Sequence, residues 1–135
     1  MKIVIIDGQG GRLGALICEG IKRAYPDLSL LAVGTNAMAT AAMLKAGADM
    51  GATGENPVVV ASRDADVIIG PVGILAADAL LGEVTPAMAV AVGQSRAEKL
   101  LLPMTRCKNR VVGTKPLTMA ELAAETVECL GALLR

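Results

Sequence analysis

The sequence predicts an α/β fold, a three-layer α/β/α doubly wound parallel sheet of the Rossmann-like kind. Ile3-Val4-Ile5-Ile6 runs straight into Asp7, Gly8, Gly10, Gly11 and Gly14, then into Ala15-Leu16-Ile17. That is the order of a buried strand, a glycine turn and a helix N-terminus. Strand-like and helix-like stretches alternate along the chain, as βαβ units require. The strands are apolar throughout, so helices must cover both faces of the sheet. Right-handed crossovers then lead to strand order 3-2-1-4-5, with a crevice beside the first strand where the order reverses.

Each element has a local reason. From Gly11 to Ala24, Leu13, Leu16, Ile17, Gly20, Ile21 and Ala24 fall at three- and four-residue spacing, one apolar face of a helix that Pro26-Asp27 ends. Leu28 to Val33 is a second buried strand, stopped at Gly34-Thr35-Asn36, and Ala37 to Ala46 is an Ala- and Met-rich helix closed by Gly47. Residues 48 to 57 form the long polar, glycine-rich loop. Val58 to Ala61 is expected as a short strand on its β-branched residues, and Asp66 to Gly70 as another, ending in Gly70-Pro71-Val72-Gly73. Ala76 to Leu81 is a possible short helix, whereas Thr85-Pro86 is an N-cap with proline at the first helical position, opening a helix to Gln94. Lys99 to Leu102 and Arg110 to Val112 are expected strands. The last helix, Leu117 to Leu134, has Thr118 as its cap and Glu121 as capping-box partner.

At 135 residues with no linker or low-complexity stretch, the chain is expected to form a single Rossmann-like domain over residues 1–135. Lys plus Arg and Asp plus Glu number 13 each, and the basic residues are scattered, which argues against a nucleic-acid partner. Cys18, Cys107 and Cys129 are odd in number, far apart and unaccompanied by histidine, so neither a zinc site nor a disulfide framework is expected, and no metal. The absence of a signal peptide or a long apolar run suggests a cytoplasmic protein without a membrane partner. With 53% hydrophobic residues, some apolar side chains are left to face a partner subunit, so a homo-oligomer is expected.

The loops that follow strands open on the crevice: Gly8 to Gly14, Gly34 to Asn36, Ala61 to Arg63, Gly70 to Gly73 and Pro103 to Asn109. The ligand class these predict is a small-molecule nucleotide, NAD(P) or another, held by Gly8, Gln9, Gly10, Gly11, Arg12, Leu13 and Gly14. Gly34, Thr35, Asn36, Gly70, Pro71 and Gly73 complete the site. The spacing Gly8-x-x-Gly11-x-x-Gly14 resembles the turn of extended and atypical short-chain dehydrogenases, and on that basis Gly11→Asp and Gly14→Val are expected to lose nucleotide affinity.

Several features depart from a dehydrogenase. The second strand ends in Gly34-Thr35-Asn36, where an acidic residue would grip the ribose hydroxyls of NAD. Thr35 and Asn36 are candidates to bond a ribose or a phosphate in its place, and Arg12 or Arg63 to meet an extra phosphate; equally, Asn36 caps the second helix. Tyr25 lies before Pro26 with no lysine four positions on, so the Tyr-x-x-x-Lys pair is missing. Without histidine there is no Ser/His/Asp or Cys/His constellation. Asp7, Glu55 and Glu83 are the carboxylates available to the crevice, with Asp7 placed to accept amides of the glycine turn. Cys107, between Arg106 and Lys108, is a candidate thiolate.

The whole string, Ile-Asp-Gly-Gln-Gly-Gly, Gly-Thr-Asn, Gly-Ala-Thr-Gly-Glu-Asn, Gly-Pro-Val-Gly-Ile and Gly-Glu-Val-Thr-Pro, resembles a family of short bacterial proteins known as domain of unknown function 3842. The resemblance implies a stand-alone Rossmann-like protein and no particular activity. It directs attention to Glu83 beside the glycine turn. Gly51 to Asn56, preceding an expected strand, should lie at the far end of the sheet unless it folds over an edge, and if it does not reach the crevice an oligomer contact is its better explanation. Besides nucleotide binding, a ligand-free structural or regulatory homo-oligomer, and an enzyme acting on a small phosphorylated or carboxylated metabolite through Glu83 or Cys107, remain as alternatives.

Overall fold

The computed structural model describes residues 1–104 and 108–135. Its strands are β1 (Ile3–Asp7), β2 (Leu30–Gly34), β3 (Met50–Thr53), β4 (Val67–Pro71) and β5 (Glu98–Leu102). They form one parallel sheet in the order β3-β2-β1-β4-β5, the doubly wound order expected from the alternation of elements. The helices are α1 (Arg12–Ala24), α2 (Ala37–Lys45), α3 (Glu55–Ser62), α4 (Pro86–Gln94) and α5 (Met119–Leu134), with a 3₁₀ turn at Val72–Leu75.

The two-residue period of a strand divides β1 between two cores. Ile3 and Ile5 pack with Leu13, Ile17 and Ile21 of α1, Met43 of α2 and Leu122 and Leu130 of α5. Val4 and Ile6 pack on the other face with Val58 of α3 and Met88 and Val92 of α4. The same period puts Asp7 on the Ile3 and Ile5 face, under the N-terminus of α1. Caps read from the sequence are present at both Thr85 and Thr118: Thr85 Oγ1 accepts from Met88 N at 3.2 Å, and Thr118 with Glu121 forms a reciprocal capping box.

Residues 48–62 depart from expectation. Met50–Thr53 of the expected loop is the edge strand β3, and the expected strand at Val58 to Ala61 lies within helix α3. Burial of Val58, Ala61 and Ser62 at helical spacing outweighs the β-propensity of three successive valines. Glu55 and Pro57 occupy the first helical turn, where a carboxylate favours the dipole and proline removes no helical hydrogen bond. Ala61 to Arg63 therefore closes a helix at the sheet end remote from the crevice. Conversely, Thr53 pairs in register with Gly34, and Gly54 N donates to Gly34 O at 2.9 Å, which brings the end of the Gly51 to Asn56 segment to the crevice side.

Two further elements change. Ala76 to Leu81 is a series of turns with Asp78, Leu80 and Leu81 at positive φ, followed by Gly82. Arg110 to Val112 is not a strand, and Val112 is almost fully exposed.

Candidate functional site

The site grows from β1. Asp7, only 6% exposed, ends the strand and points into the turn that follows. Its Oδ1 accepts from Gly8 N at 2.8 Å and its Oδ2 from Gly14 N at 2.7 Å, so one carboxylate ties the first and last glycines of the turn. Burial raises the Asp7 pKa; the Gly14 and Gly8 amides oppose that shift, and the charge of Glu83 adds to it. Gly11 caps α1 in the left-handed conformation, φ 71°, against the backbone of Ala39 in α2, a place that admits no side chain.

An account of the turn's amides shows what is left over. Gly8 and Gly14 are held by Asp7, Gly11 N donates to Gly8 O at 2.9 Å, and Gln9 N donates to Glu83 Oε1 at 2.8 Å. The amides of Gly10, Arg12 and Leu13 have no acceptor among the described residues. The last two are first-turn amides of α1, where the helix dipole adds partial positive charge. They border a cavity of about 90 Å³ lined by Asp7 to Leu13, Pro71, Gly73, Leu80, Met104 and Met119. The cavity lies between the ends of β1 and β4, where the strand order reverses. A wider cleft of about 780 Å³ shares Met104 with it and is lined by Lys108, Arg110, Lys115 and Leu117, among others.

Gly34, Thr35 and Asn36 lie beside the turn, tied to it by hydrogen bonds. Thr35 N donates to Asp7 O at 2.9 Å, which locks the end of β2 to the end of β1. Asn36 does cap α2, its Oδ1 accepting from Ala39 N at 2.9 Å. Its Nδ2 also donates to Gln9 O at 2.9 Å and to Glu83 Oε1 at 2.7 Å, and Thr35 Oγ1 donates to the same oxygen at 2.7 Å. Desolvation pushes the Glu83 pKa up, but the Gln9, Thr35 and Asn36 hydrogen bonds together outweigh it and hold the carboxyl below its ordinary value. Glu83 stood among the crevice carboxylates in the sequence; its partners came into view only with the topology.

Of the other sequence candidates, Gly70 is packed against the Ile6 carbonyl, while Pro71 and Gly73 line the cavity. Arg12 is exposed at its rim, whereas Arg63 caps the far end of α3 and does not approach the turn. Cys18 is fully buried and its thiol pKa is pushed up to about 12, chiefly by desolvation, so it is no nucleophile. Cys107 and Arg106 lie outside the described residues. Among the described residues, no three His, Cys, Asp or Glu side chains gather where they would hold a metal ion, and no helix is long and apolar enough to cross a membrane.

The chain belongs to the family described as Domain of unknown function (DUF3842), whose model matches residues 2–135. No curated protein matches its sequence. Among solved structures it is similar to a dodecameric FMN-dependent UbiX-like decarboxylase from Escherichia coli O157:H7. The TM-score is 0.53 at 17% identity, covering 97% of this chain and 95% of that one. At that identity the likeness speaks for the α/β fold.

Proposed function

We propose that this protein binds a nucleotide or dinucleotide through the Gly8 to Gly14 turn. The observation that carries the reading is the set of amides without an acceptor among the described residues, at Gly10, Arg12 and Leu13, which line a cavity at the switch point of a doubly wound sheet. A cavity of about 90 Å³ has the volume of roughly three waters, enough for a phosphate group and too small for a whole nucleotide. The adjoining cleft, within the usual 300–1,000 Å³ range of ligand sites, has room for part of the remainder and carries basic side chains at Lys108, Arg110 and Lys115. FMN, the cofactor of the structural neighbour, belongs to the same phosphate-bearing class as NAD and NADP. When bound, such a group would supply the chemistry; this chain's turn would hold its phosphate and Arg12 would meet the charge.

The test is a thermal-shift and titration panel of FMN, FAD, NAD, NADP, ATP and AMP on the wild type and on Gly10→Asp. Ligand at about a hundredfold excess over its Kd should add roughly 2.7 kcal/mol to stability, a shift of several degrees. Gly10→Asp should abolish it by bringing a negative charge to the open amides. No shift with any member, or an unchanged shift in Gly10→Asp, rejects the assignment. Gly11→Asp and Gly14→Val are poorer tests than the sequence suggested. A side chain at Gly11 meets Ala39 backbone atoms at 2.7 Å, and one at Gly14 meets Met43 Sδ at 2.5 Å, so both perturb the fold itself.

A homo-oligomer is favoured independently by the β3 edge, where Met50 of the bare strand and Met38 and Leu44 of the neighbouring α2 are exposed. Light scattering with and without nucleotide separates assembly from ligand binding: a stable oligomer with no nucleotide response favours the structural reading.

A further inference from the structure

Dinucleotide-binding turns use an acidic side chain at the end of the second strand to hold ribose hydroxyls. Here β2 ends in Gly34 and is followed by Thr35 and Asn36, both uncharged. The missing carboxylate is nevertheless present at that strand end, delivered by the segment after β4. Thr35 Oγ1 and Asn36 Nδ2 each donate to Glu83 Oε1 at 2.7 Å, and Gln9 N of the glycine turn donates to the same atom at 2.8 Å. The neutral residues thus import an acid.

The three donors converge on Oε1. Oε2 receives no hydrogen bond from a described residue, and the side chain is only partly buried, so this oxygen retains its capacity to accept from a ligand hydroxyl. The carrier segment is knit to itself: Asp78 N donates to Val84 O at 2.7 Å, and Gly82, Glu83 and Val84 amides donate to Asp78, Leu80 and Ala79 carbonyls at 3.1 Å. A Cβ at Gly8 would stand 2.8 Å from Leu80 Cδ1 and 3.1 Å from Glu83 Oε1, which shows how closely the segment sits on the turn. The carboxylate is therefore held in place before any ligand arrives.

Resting on the nucleotide reading above, we propose that Glu83 is the specificity residue of the site. Through Oε2 it accepts hydrogen bonds from the free ribose hydroxyls of a phosphate-bearing ligand, and its charge rejects a ligand in which one of those hydroxyls is esterified by phosphate. The ligand class is a nucleotide with an unesterified ribose diol.

Calorimetric titration of NAD, NADP and inorganic pyrophosphate into the wild type, Glu83→Gln and Glu83→Asp tests this. The wild type should bind NAD roughly tenfold or more tighter than NADP, the scale of a charge-assisted hydrogen bond set against a like-charge contact. Glu83→Gln, which keeps an acceptor for the same donors, should bring the affinities for NAD and NADP to within about threefold of each other, and Glu83→Asp should retain the discrimination against NADP. Pyrophosphate binding without discrimination in the wild type, or discrimination that survives Glu83→Gln, overturns the role of Glu83 and leaves the glycine turn standing. Tighter binding of all three ligands, pyrophosphate included, in Glu83→Gln overturns it too, since Glu83 would then be occupying the anion position itself. Failure of pyrophosphate and both dinucleotides to bind the wild type overturns this inference, and only a flat response to FMN, FAD, ATP and AMP as well removes the nucleotide reading with it.

Discussion

Two carboxylates hold the glycine turn, and their surroundings give them opposite electrostatics. Asp7 is buried at the end of β1 and spreads its two oxygens over two backbone amides, at Gly8 and Gly14. Glu83 is partly exposed and gathers three donors on one oxygen, leaving the other unused. Desolvation is the largest influence on both. At Asp7 it prevails and the pKa rises; at Glu83 the hydrogen bonds prevail and the pKa falls. Depth in the fold, rather than the number of hydrogen bonds alone, thus separates the buried carboxylate from the partly exposed one.

The largest effect expected from breaking this pair is at Asp7. Asp7→Asn retains one acceptor but turns an NH₂ toward the amide that the other oxygen served, so a buried donor loses its partner at a cost of about 2 kcal/mol. The pH dependence has a definite sign. A carboxyl whose folded pKa is raised binds its proton more tightly in the native state, so wild-type stability falls as pH rises from 3.8 through the folded pKa. The asparagine does not titrate. The stability gap between wild type and Asp7→Asn should therefore be widest in acid and narrow toward neutrality, as read by urea midpoints across that range. A gap that widens toward neutrality would contradict the raised pKa.

Glu83→Gln should cost less, about 1 kcal/mol, because the side chain is partly solvated and its amide oxygen still accepts. Its pH profile should run the other way. The folded pKa lies below 4.5, so the contribution of Glu83 is complete above that value and is lost as pH falls through the folded pKa. The gap between wild type and Glu83→Gln should be widest near pH 7 and close in acid. The two denaturation series, made side by side, would show opposite slopes; parallel slopes would mean that the carboxylates share one environment after all.

How much of this was legible in the sequence follows the same division between buried and exposed. β1, its glycine turn and α1 are written in uninterrupted apolar residues and glycines, and the caps at Thr85 and Thr118 are local hydrogen-bonding signals, so both were readable. The amide-binding role of Asp7 was readable as well, because strand period and adjacency to the turn place it. β3 was not: an edge strand with Met50 and Gly51 exposed needs no apolar signature, and its polar sequence passes for a loop. The valines at 58 to 60 misled because β-propensity is weaker than the helical packing of Val58 and Ala61 against the sheet and α4. Glu83 could be suspected but not assigned. Its partners lie 47, 48 and 74 residues away, and only the crossing of the chain from β3 to β4 brings them together.

The smallest stability effect belongs to Gly10, and it is informative for that reason. A Cβ there meets nothing within 4 Å, the residue is exposed, and its φ lies outside the left-handed range that favours glycine. Gly10→Ala should therefore leave stability unchanged to within about 0.5 kcal/mol, or raise it slightly by restricting the unfolded chain. Gly11, one position on, is left-handed and pressed against Ala39, so structure alone accounts for a glycine there. No packing or backbone demand accounts for Gly10; under the proposed nucleotide reading, close approach of a ligand to its open amide would. If Gly10→Ala folds like the wild type and weakens nucleotide binding, the glycine serves the ligand. If it folds and binds like the wild type, the phosphate is held by Arg12 and Leu13 amides without it, and the site is smaller than the turn that frames it.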